Sequence, residues 1–260
     1  MKIDSYLKRI GWKGRVNADL QTLKELHYHH ATHIPFENLD IQLGRNISLE
    51  PEALERKLVE NGRGGYCFEQ NTLLQAELQE IGFDVIACEA RVRMGKTLST
   101  PRTHMLLIVN TEGKEYLADV GFGGDGLFYP LELNDDEQKQ FLWNYRIIKE
   151  ESNLFVLQTK TSGEWFDLYA FVPEKREPVD FELANWYTST HPQSRFVQTL
   201  TAQLPTPEAR YVLRNRTFLI DYGTRQESRT LDSPQELIAV LRNHFGLSFP
   251  DDTHFHNPKF

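Results

Sequence analysis

Cysteine is scarce in this 260-residue sequence, which contains only Cys67 and Cys88. Two cysteines are too few for a small fold stapled by several disulfides. Cys88 lies in the apolar stretch Val85-Ile86-Ala87-Cys88, which is typical of a buried strand, whereas Cys67 follows two glycines. Because the two contexts differ so strongly, we do not expect these thiols to form a structural disulfide.

Excess positive charge and long apolar runs are also absent. The chain has 29 lysines and arginines against 37 aspartates and glutamates, a formal net charge of -8, so it offers no large basic surface to nucleic acid. No apolar run is long enough to cross a bilayer, and the first residues lack the apolar core of a signal peptide. We therefore expect a cytoplasmic protein without a nucleic-acid or membrane partner.

The spacing of apolar residues changes along the chain. Helical spacing prevails up to residue 83, and a period of two follows from Asp84 to about Val172. At 260 residues the chain slightly exceeds the usual size of one core, so we expect two or three subdomains. Since no long helix interrupts the strands, the sequence predicts a helical bundle followed by an antiparallel sheet or barrel.

Caps and breaks predict the element boundaries. Asn17 is a candidate cap for a helix that Pro35 stops, and Ser233, Pro234 and Gly246 mark the start and end of a closing helix. A further helix is predicted from 180 to 192. Strands are predicted at Val85 to Val92, Met105 to Val109, Tyr116 to Val120, Tyr145 to Ile148, Leu154 to Gln158, Trp165 to Phe171, Phe196 to Leu200, Tyr211 to Leu213 and Thr217 to Ile220.

The stretch Arg63-Gly64-Gly65-Tyr66-Cys67-Phe68-Glu69-Gln70-Asn71 indicates a reactive cysteine. Two glycines permit a tight turn, and the helical pattern that follows, with Gly82 as its stop, places Cys67 in a first helical turn. Unpaired N–H groups and the helix dipole favour an anion there, so a thiolate is expected. The alternative is that Cys67 is a small buried apolar residue, the usual state of a free cysteine.

A histidine and an aspartate downstream complete a candidate catalytic triad. His104 stands at the head of the apolar strand Thr103-His104-Met105-Leu106-Leu107-Ile108-Val109, and Asp119 ends another strand before several glycines. A nucleophile, a base that takes its proton and a carboxylate that orients the base are the parts of nucleophilic catalysis.

Four motifs resemble those of the arylamine N-acetyltransferases, and they follow one another along the chain in the family's order. They are the cysteine stretch, the Thr103-His104 strand, the turn Asp119-Val120-Gly121-Phe122-Gly123, and His30 through Asn38, which ends in Ile34-Pro35-Phe36-Glu37-Asn38. The resemblance implies an α+β fold: a helical bundle over 1–83, an antiparallel β-barrel over 84–190 and an α/β lid over 191–260. A papain-like triad would lie between the first two.

The resemblance also implies an activity in xenobiotic metabolism. Cys67 would take an acetyl group from acetyl-CoA and pass it to arylamines, arylhydrazines or N-hydroxyarylamines by a ping-pong mechanism, with no metal. His104 would move the protons and Asp119 would orient it. Arg63, Glu69 and Asn38 match motif positions, and we assign them structural support. Phe36, Phe122 and Phe196 match positions near the family's acceptor pocket, so the resemblance implies that they bind the aromatic ring of the acceptor. The alternative is that all three are ordinary core residues.

Acetyl-CoA has four candidate ligands in the sequence, Gly123, Gly124, Thr103 and Arg102. The run 121–126 satisfies G-x-G-x-x-G, but no helix follows, so a Rossmann site is excluded. Its backbone amides are candidates for the donor's phosphates, and a loop that needs positive φ explains the glycines equally well. The basic residues between Arg91 and Arg102, including Arg93 and Lys96, are either a phosphate patch or a solvated strand face.

A metal site is not expected. His29 and His33 have the i, i+4 spacing of a metal pair, but no acidic or cysteine ligand accompanies them, and a hydrogen-bonding role is expected for His30.

Two other functions stay open. A cysteine hydrolase or transglutaminase-like enzyme shares the order Cys, His, Asp, and a non-catalytic protein that binds aromatic ligands or CoA would have kept only the fold.

Overall fold

The structure is a computed structural model that describes residues 3–95, 99–150, 153–161 and 163–260. Lys96 of the predicted basic patch lies outside the described residues. Within them, no helix combines the length and the apolarity that crossing a membrane requires.

Helices form the first part of the chain, as predicted. They are α1 (Ile3–Arg9), α2 (Leu20–His33), α3 (Leu39–Gln42), α4 (Pro51–Leu54), which continues as a π-helical stretch (Glu55–Glu60), and α5 (Cys67–Ile81). The predicted cap Asn17 is wrong, because α2 begins at Leu20 and Asp19 caps it: its carboxylate accepts the N–H of Thr22 at 2.8 Å.

Helix α5 begins at Cys67 and ends before Gly82, as the sequence predicts. Gly82 has a φ of 104°, the left-handed conformation that glycine adopts without a side-chain clash. At the other end, the Glu69 carboxylate accepts the N–H of Tyr66 at 3.1 Å, which satisfies a donor just before the first turn. The local sequence therefore fixes where the thiol stands.

Eight strands form a nearly closed antiparallel barrel. They are β2 (Asp84–Val92), β3 (Arg102–Thr111), β4 (Lys114–Ala118), β5 (Leu131–Glu132), β6 (Gln138–Gln140), β7 (Trp143–Lys149), β8 (Phe155–Thr161) and β9 (Glu164–Phe171). Their order in the sheet is β5-β4-β3-β2-β9-β8-β7-β6. The two edge strands, β5 and β6, follow one another in the chain, so the connection between them brings the edges of the sheet together.

The last part of the chain mixes helices with a second sheet. Its elements are α6 (Pro178–Thr190), α7 (Arg195–Gln198), β10 (Thr201–Pro205), β11 (Arg210–Arg214), β12 (Thr217–Asp221), β13 (Gln226–Thr230) and α8 (Pro234–Phe245). Helix α8 has the predicted cap, Ser233, and the predicted stop, Gly246. The strand predicted at Phe196 to Leu200 is wrong. The Ser194 hydroxyl accepts the N–H of Phe196 at 3.3 Å and starts helix α7 instead.

A strand pairing joins the first and last parts of the chain. The two-residue strand β1 (Phe36–Glu37), which follows α2, pairs with β10 and so belongs to the C-terminal sheet. The domain boundaries at 83 and 190 stay a prediction.

The core between α5 and the barrel positions the cysteine. Leu73, Leu74 and Leu78 of α5 belong to the same buried cluster as Leu107 and Val109 of β3. Because β3 also carries His104, burial of these side chains holds the start of α5 beside the start of β3.

Glu77 provides a test of stability against pH. Its side chain on α5 is buried, and its Oε2 has no hydrogen-bond partner among the described residues. Burial, with the charges of Glu55 and Glu80, raises the pKa of Glu77 to about 7. Since an unfolded glutamate titrates at about 4.3, the folded state binds the proton more tightly. The contribution of Glu77 to the free energy of unfolding should therefore fall as the pH rises from about 4.3 to 7, by on the order of 2–3 kcal/mol.

Denaturant unfolding between pH 5 and 8 measures this dependence. The pH slope of the wild type should be more negative than that of Glu77→Gln, because the other titrating groups act in both proteins, and Glu52→Gln, an exposed change on α4, should leave the slope as in the wild type. Equal slopes in the wild type and Glu77→Gln would assign the dependence to other groups.

Candidate active site

Three neighbouring elements bring Cys67, His104 and Asp119 together. Cys67 is the first residue of α5, His104 lies on β3, and Asp119 follows β4, which pairs with β3. The Cys67 Sγ lies 3.8 Å from the carbonyl oxygen of Thr103, the residue before His104. Nε2 of His104 lies 2.7 Å from Oδ2 of Asp119. All three side chains are buried.

Asp119 accepts four hydrogen bonds. Its Oδ2 accepts from Nε2 of His104 at 2.7 Å and from the Tyr169 hydroxyl at 2.8 Å. Its Oδ1 accepts from Nδ2 of Asn71 and from the N–H of Gly121, both at 2.9 Å. Burial opposes the charged form, but the positive charge of His104 and these donors outweigh it and lower the pKa of Asp119. The carboxylate is therefore ionised and fixed in orientation.

The charge on Asp119 sets the protonation of His104. Burial alone would lower the pKa of this imidazole, but the Asp119 carboxylate and the Cys67 side chain raise it to about 10. At neutral pH the ring is therefore an imidazolium. Since Nε2 is bonded to Asp119, Nδ1 is the nitrogen left to exchange a proton with Cys67.

His27 fixes the backbone of Asp119, a role that the sequence analysis missed. Its Nε2 accepts the N–H of Asp119 at 3.0 Å, and its Nδ1 lies 3.0 Å from the carbonyl oxygen of Phe128. Burial lowers the pKa of His27 to about 4, so it is neutral and donates from Nδ1. Its partners lie about a hundred residues away, so no local pattern identifies this role.

His30 has the predicted hydrogen-bonding role. Its Nδ1 accepts the Tyr6 hydroxyl at 2.9 Å, and its Nε2 lies 3.0 Å from Oε1 of Gln70. Gln70 in turn donates to the carbonyl oxygen of Gly65 at 3.0 Å. Burial lowers the pKa of His30 to about 3, so the ring is a neutral bridge that fixes the turn before Cys67.

A buried ion network supports the same turn. Arg63 contacts Oε1 of Glu37 at 2.6 Å and Oδ1 of Asp40 at 3.2 Å. Lys57 contacts Oδ2 of Asp40 at 2.8 Å and Oε1 of Glu69 at 2.7 Å. These contacts tie the residues on both sides of Cys67 to the segment after α2, and they agree with the structural support assigned to Arg63 and Glu69.

Asn38 ties the same segment to the C-terminal part of the chain. Its Nδ2 donates to the carbonyl oxygens of Phe196 and Thr199, both at 2.7 Å, and its Oδ1 accepts the N–H of Thr201 at 2.8 Å. Asn38 therefore sets the position of Phe196 relative to Phe36.

A cavity of about 320 Å³ gives access to the triad. Its lining includes Cys67, His104 and all three predicted acceptor residues, Phe36, Phe122 and Phe196. The Phe122 ring meets His104 edge-on with centroids 5.1 Å apart, and Phe36 lies 5.9 Å from Phe196. A volume of this size suits a small ligand with one aromatic ring.

Comparison with known proteins identifies the family. The sequence matches the N-acetyltransferase family over residues 19–253. It is 39% identical to the arylamine N-acetyltransferase of Mycolicibacterium smegmatis, over 96% of this chain and 94% of the relative. It is 36% identical to the Escherichia coli K12 arylamine N-acetyltransferase, over 97% and 91%. The chain belongs to the arylamine N-acetyltransferase family.

Solved arylamine N-acetyltransferase structures have the same fold. The Salmonella typhimurium enzyme superposes with a TM-score of 0.91 at 32% identity and covers 96% of this chain and 94% of its own. The Mycobacterium marinum enzyme in complex with CoA gives 0.90 at 35% identity, over 94% and 92%. The prediction of an acyltransferase of the arylamine N-acetyltransferase family is confirmed, as is a mixed α and β fold with an antiparallel barrel.

The residues predicted to bind CoA are only partly brought together. Thr103 lines the cavity, whereas Gly123, Gly124 and Arg102 lie outside its lining. The N–H of Gly124 donates to Oε1 of Gln203, and Arg102 lies 3.6 Å from Glu89. Their assignment to CoA stays a prediction.

The basic patch that precedes β3 is largely paired. Arg93 contacts Glu150 at 2.8 Å and Asp167 at 2.9 Å, and Arg91 donates to the carbonyl oxygen of Thr100. These acidic partners come from segments distant in sequence, so the local charge count overestimated the free positive charge. The arrangement fits a solvated strand face.

The His29 and His33 pair is a ring stack. The two centroids lie 5.4 Å apart at an angle of 21°. Over the described ranges, no group of three or more His, Cys, Asp or Glu side chains is placed to hold a metal ion.

Proposed function

We propose that this acyltransferase moves an acetyl group from acetyl-CoA to an aromatic amine through a thioester on Cys67, by a ping-pong mechanism. The observation that carries the proposal is the buried His104–Asp119 pair, joined at 2.7 Å, whose histidine lines the same cavity as the Cys67 thiol. The CoA-bound Mycobacterium marinum relative and the arylamine N-acetyltransferase relatives support the choice of donor and acceptor.

In the first half-reaction the Cys67 Sγ attacks the carbonyl carbon of acetyl-CoA. The thiol proton resides on Nδ1 of His104, because the raised pKa of that imidazole favours the imidazolium. A carbon–sulfur bond forms to Cys67, the bond to the CoA sulfur breaks, and the imidazolium proton leaves with CoA as its thiol.

In the second half-reaction the amine nitrogen attacks the Cys67 thioester. The bond between Sγ and the acetyl carbon breaks, the amine loses one proton, and the Cys67–His104 pair regains it. The product is the N-acetylated amine, or the O-acetylated product where a hydroxylamine oxygen attacks. Asp119 keeps Nδ1 directed at the sulfur throughout.

Intact mass after brief exposure to acetyl-CoA without acceptor tests this proposal. We expect one added acetyl group, mapped to Cys67, lost on addition of an arylamine and absent in Cys67→Ala. Cys88→Ala should acetylate normally, because burial raises the pKa of the Cys88 thiol to about 12 and leaves it inert. Acetylation of a lysine or of Cys88 would refute the mechanism. Loss of the acetyl group to water as fast as to the amine would instead indicate a hydrolase.

Phe122→Leu tests the acceptor role of the cavity aromatics. The Phe122 ring lies 5.0 Å from Tyr169 and 5.1 Å from His104, so an aniline ring beside it would gain roughly 0.5–1.5 kcal/mol from aromatic contact. We expect kcat/KM for arylamines to fall about three- to tenfold, with little change in the rate of Cys67 acetylation. Stopped-flow measurement of each half-reaction separates the two. An equal loss in both, with earlier melting, would make Phe122 a core residue only.

A further inference from the structure

Arg210 is a buried charge where the C-terminal sheet meets the barrel. It is the first residue of β11, and its side chain is 3% exposed. Its guanidinium carbon lies 4.0 Å from the ring centroid of Trp143, a barrel residue on β7. Within the described ranges its single ion pair is with Asp125, at 3.5 Å, and its Nε has no hydrogen-bond partner. Because desolvation of so weakly paired a charge opposes folding, stability alone does not account for Arg210.

The hydrogen bonds of Arg210 converge on one end of the loop formed by residues 121–126, here called the glycine loop. Its Nη2 donates to the carbonyl oxygen of Gly126 at 3.2 Å and also to the Tyr145 hydroxyl oxygen. The Tyr145 hydroxyl donates to the same carbonyl oxygen at 2.7 Å. Arg210 and Tyr145 together therefore hold this end of the loop.

The middle of the glycine loop lies against the same sheet. The N–H of Gly124 donates to Oε1 of Gln203 on β10. A Cβ on Gly124 would lie 2.9 Å from that oxygen and 3.2 Å from Cγ2 of Val212 on β11. The absence of a side chain at Gly124 therefore lets the loop backbone approach the C-terminal sheet closely.

The other end of the glycine loop is fixed by the predicted triad. The N–H of Gly121 donates to Oδ1 of Asp119 at 2.9 Å. Phe122 lies between the two fixed ends, lines the cavity, and has its ring centroid 5.1 Å from that of His104. Since Asp119 holds the first end without Arg210, loss of the arginine would free Phe122 and leave the triad in place.

We propose that Arg210 is a positioning residue for transfer of the acetyl group to the acceptor: it fixes the glycine loop on the C-terminal sheet and thereby orients Phe122 toward the acceptor ring. This inference rests on the proposed function, in which Phe122 contacts that ring. It gives the C-terminal sheet a part in the second half-reaction. Because Arg210 acts through Phe122, its removal should cost no more than the Phe122 contact itself, about three- to tenfold.

Arg210→Met tests this inference. Methionine fills a similar volume beside Trp143 and leaves the bond from Tyr145 to Gly126 intact, so the protein should fold, which thermal melting checks. We expect kcat/KM for the neutral acceptor 4-methoxyaniline to fall about three- to tenfold, with acetylation of Cys67 by acetyl-CoA within about twofold of the wild type. Arg210→Lys should recover most of the loss, because an ammonium group can still donate to the Gly126 carbonyl oxygen.

Tyr145→Phe is a second, milder variant of the same contact. It removes one hydroxyl, and with it the 2.7 Å bond to Gly126, and keeps the ring in the barrel. It should also lower kcat/KM for the acceptor and leave the acetylation of Cys67 unchanged, so it tests the contact even where Arg210→Met does not fold.

A double-mutant cycle shows whether Arg210 acts through Phe122. In the Phe122→Leu background, Arg210→Met should lower kcat/KM by no more than about twofold, because the contact that it orients is already lost. Arg225→Met is the matched control. This exposed arginine precedes β13 and pairs with Glu227, so its replacement should leave both half-reactions as in the wild type.

The contrary results are equally specific. Unchanged acceptor kinetics in Arg210→Met and Tyr145→Phe would overturn the inference, as would an undiminished loss for Arg210→Met in the Phe122→Leu background. Equal slowing of both half-reactions with earlier melting, or an Arg210→Lys variant as impaired as Arg210→Met, would also overturn it. Failure of the wild type to form acetyl-Cys67 would refute the proposed function instead.

Discussion

Asp119→Asn is expected to lower turnover by about three to four orders of magnitude while the protein remains folded. The substitution keeps the volume of the side chain but removes the charge that raises the pKa of His104 to about 10. The imidazole would then be neutral at pH 7. An amide NH₂ facing Nε2 would also favour the tautomer with its proton on Nδ1, which cannot take the Cys67 proton.

Alkylation of Cys67 by iodoacetamide at pH 6 measures the same effect without substrate. Because Cys67 begins α5 beside the His104 imidazolium, we expect alkylation of the wild type to be far faster than that of a free cysteine. The rate should fall steeply in Asp119→Asn. Asp84→Asn, an exposed change at the start of β2, is the matched control and should react like the wild type. Wild-type turnover in Asp119→Asn would remove the aspartate from the mechanism.

Local sequence signals predicted the elements that begin and end with specific residues. Helix α5 is bounded by the Cys67 turn and by Gly82, and α8 by Ser233 and Gly246, because caps and left-handed glycines act within one helical turn. Alternating apolar residues likewise predicted the longer barrel strands. The family resemblance, not these patterns, predicted how the parts are arranged.

Where an element depends on a distant partner or on a single side-chain cap, the sequence either did not predict it or predicted the wrong structure. Strand β1 has only two residues, and its pairing with β10, about 165 residues later, leaves no local pattern. Phe196 to Leu200 has the residue types of a strand, but the Ser194 cap competes with extended backbone and starts a helix. Propensity is a weak signal where a single side-chain hydrogen bond can decide the conformation.

The candidate site shows the same division between residues that local motifs identify and residues that only the fold brings together. The predicted nucleophile, base and orienter stand in recognisable motifs, whereas Tyr169 and His27, which hold Asp119, lie on other elements and come close only in the fold. The predicted basic patch shows the same for charge, because Arg93 is paired with Glu150 and Asp167. Counting charges along the chain does not reveal which of them find a partner.

Gly121→Ala is expected to have the second large effect, lowering kcat/KM at least about 100-fold. Gly121 does not have a positive φ, so the backbone would accept alanine, and the obstacle is space. A Cβ on Gly121 would lie 2.6 Å from Cα of Cys67, 2.7 Å from Nδ2 of Asn71 and 3.0 Å from the carbonyl oxygen of Cys67. The first and third are backbone atoms of α5 that no rotamer change can move.

Relief of this overlap must separate the loop after Asp119 from the start of α5. That movement stretches the Gly121 N–H and Asn71 bonds to Asp119, both 2.9 Å long, and changes the distance between Cys67 and His104. A displacement of about 1 Å in a catalytic group costs on the order of a hundredfold in rate. Steady-state kinetics, Cys67 alkylation and thermal melting measure the outcome. Gly113→Ala, at the tip of the β3–β4 hairpin, has open space and a φ of 75°, so it should cost only backbone strain and leave activity unchanged. If Gly121→Ala melts earlier but alkylates and turns over like the wild type, the packing of α5 against this loop is structural and does not set the geometry of the triad.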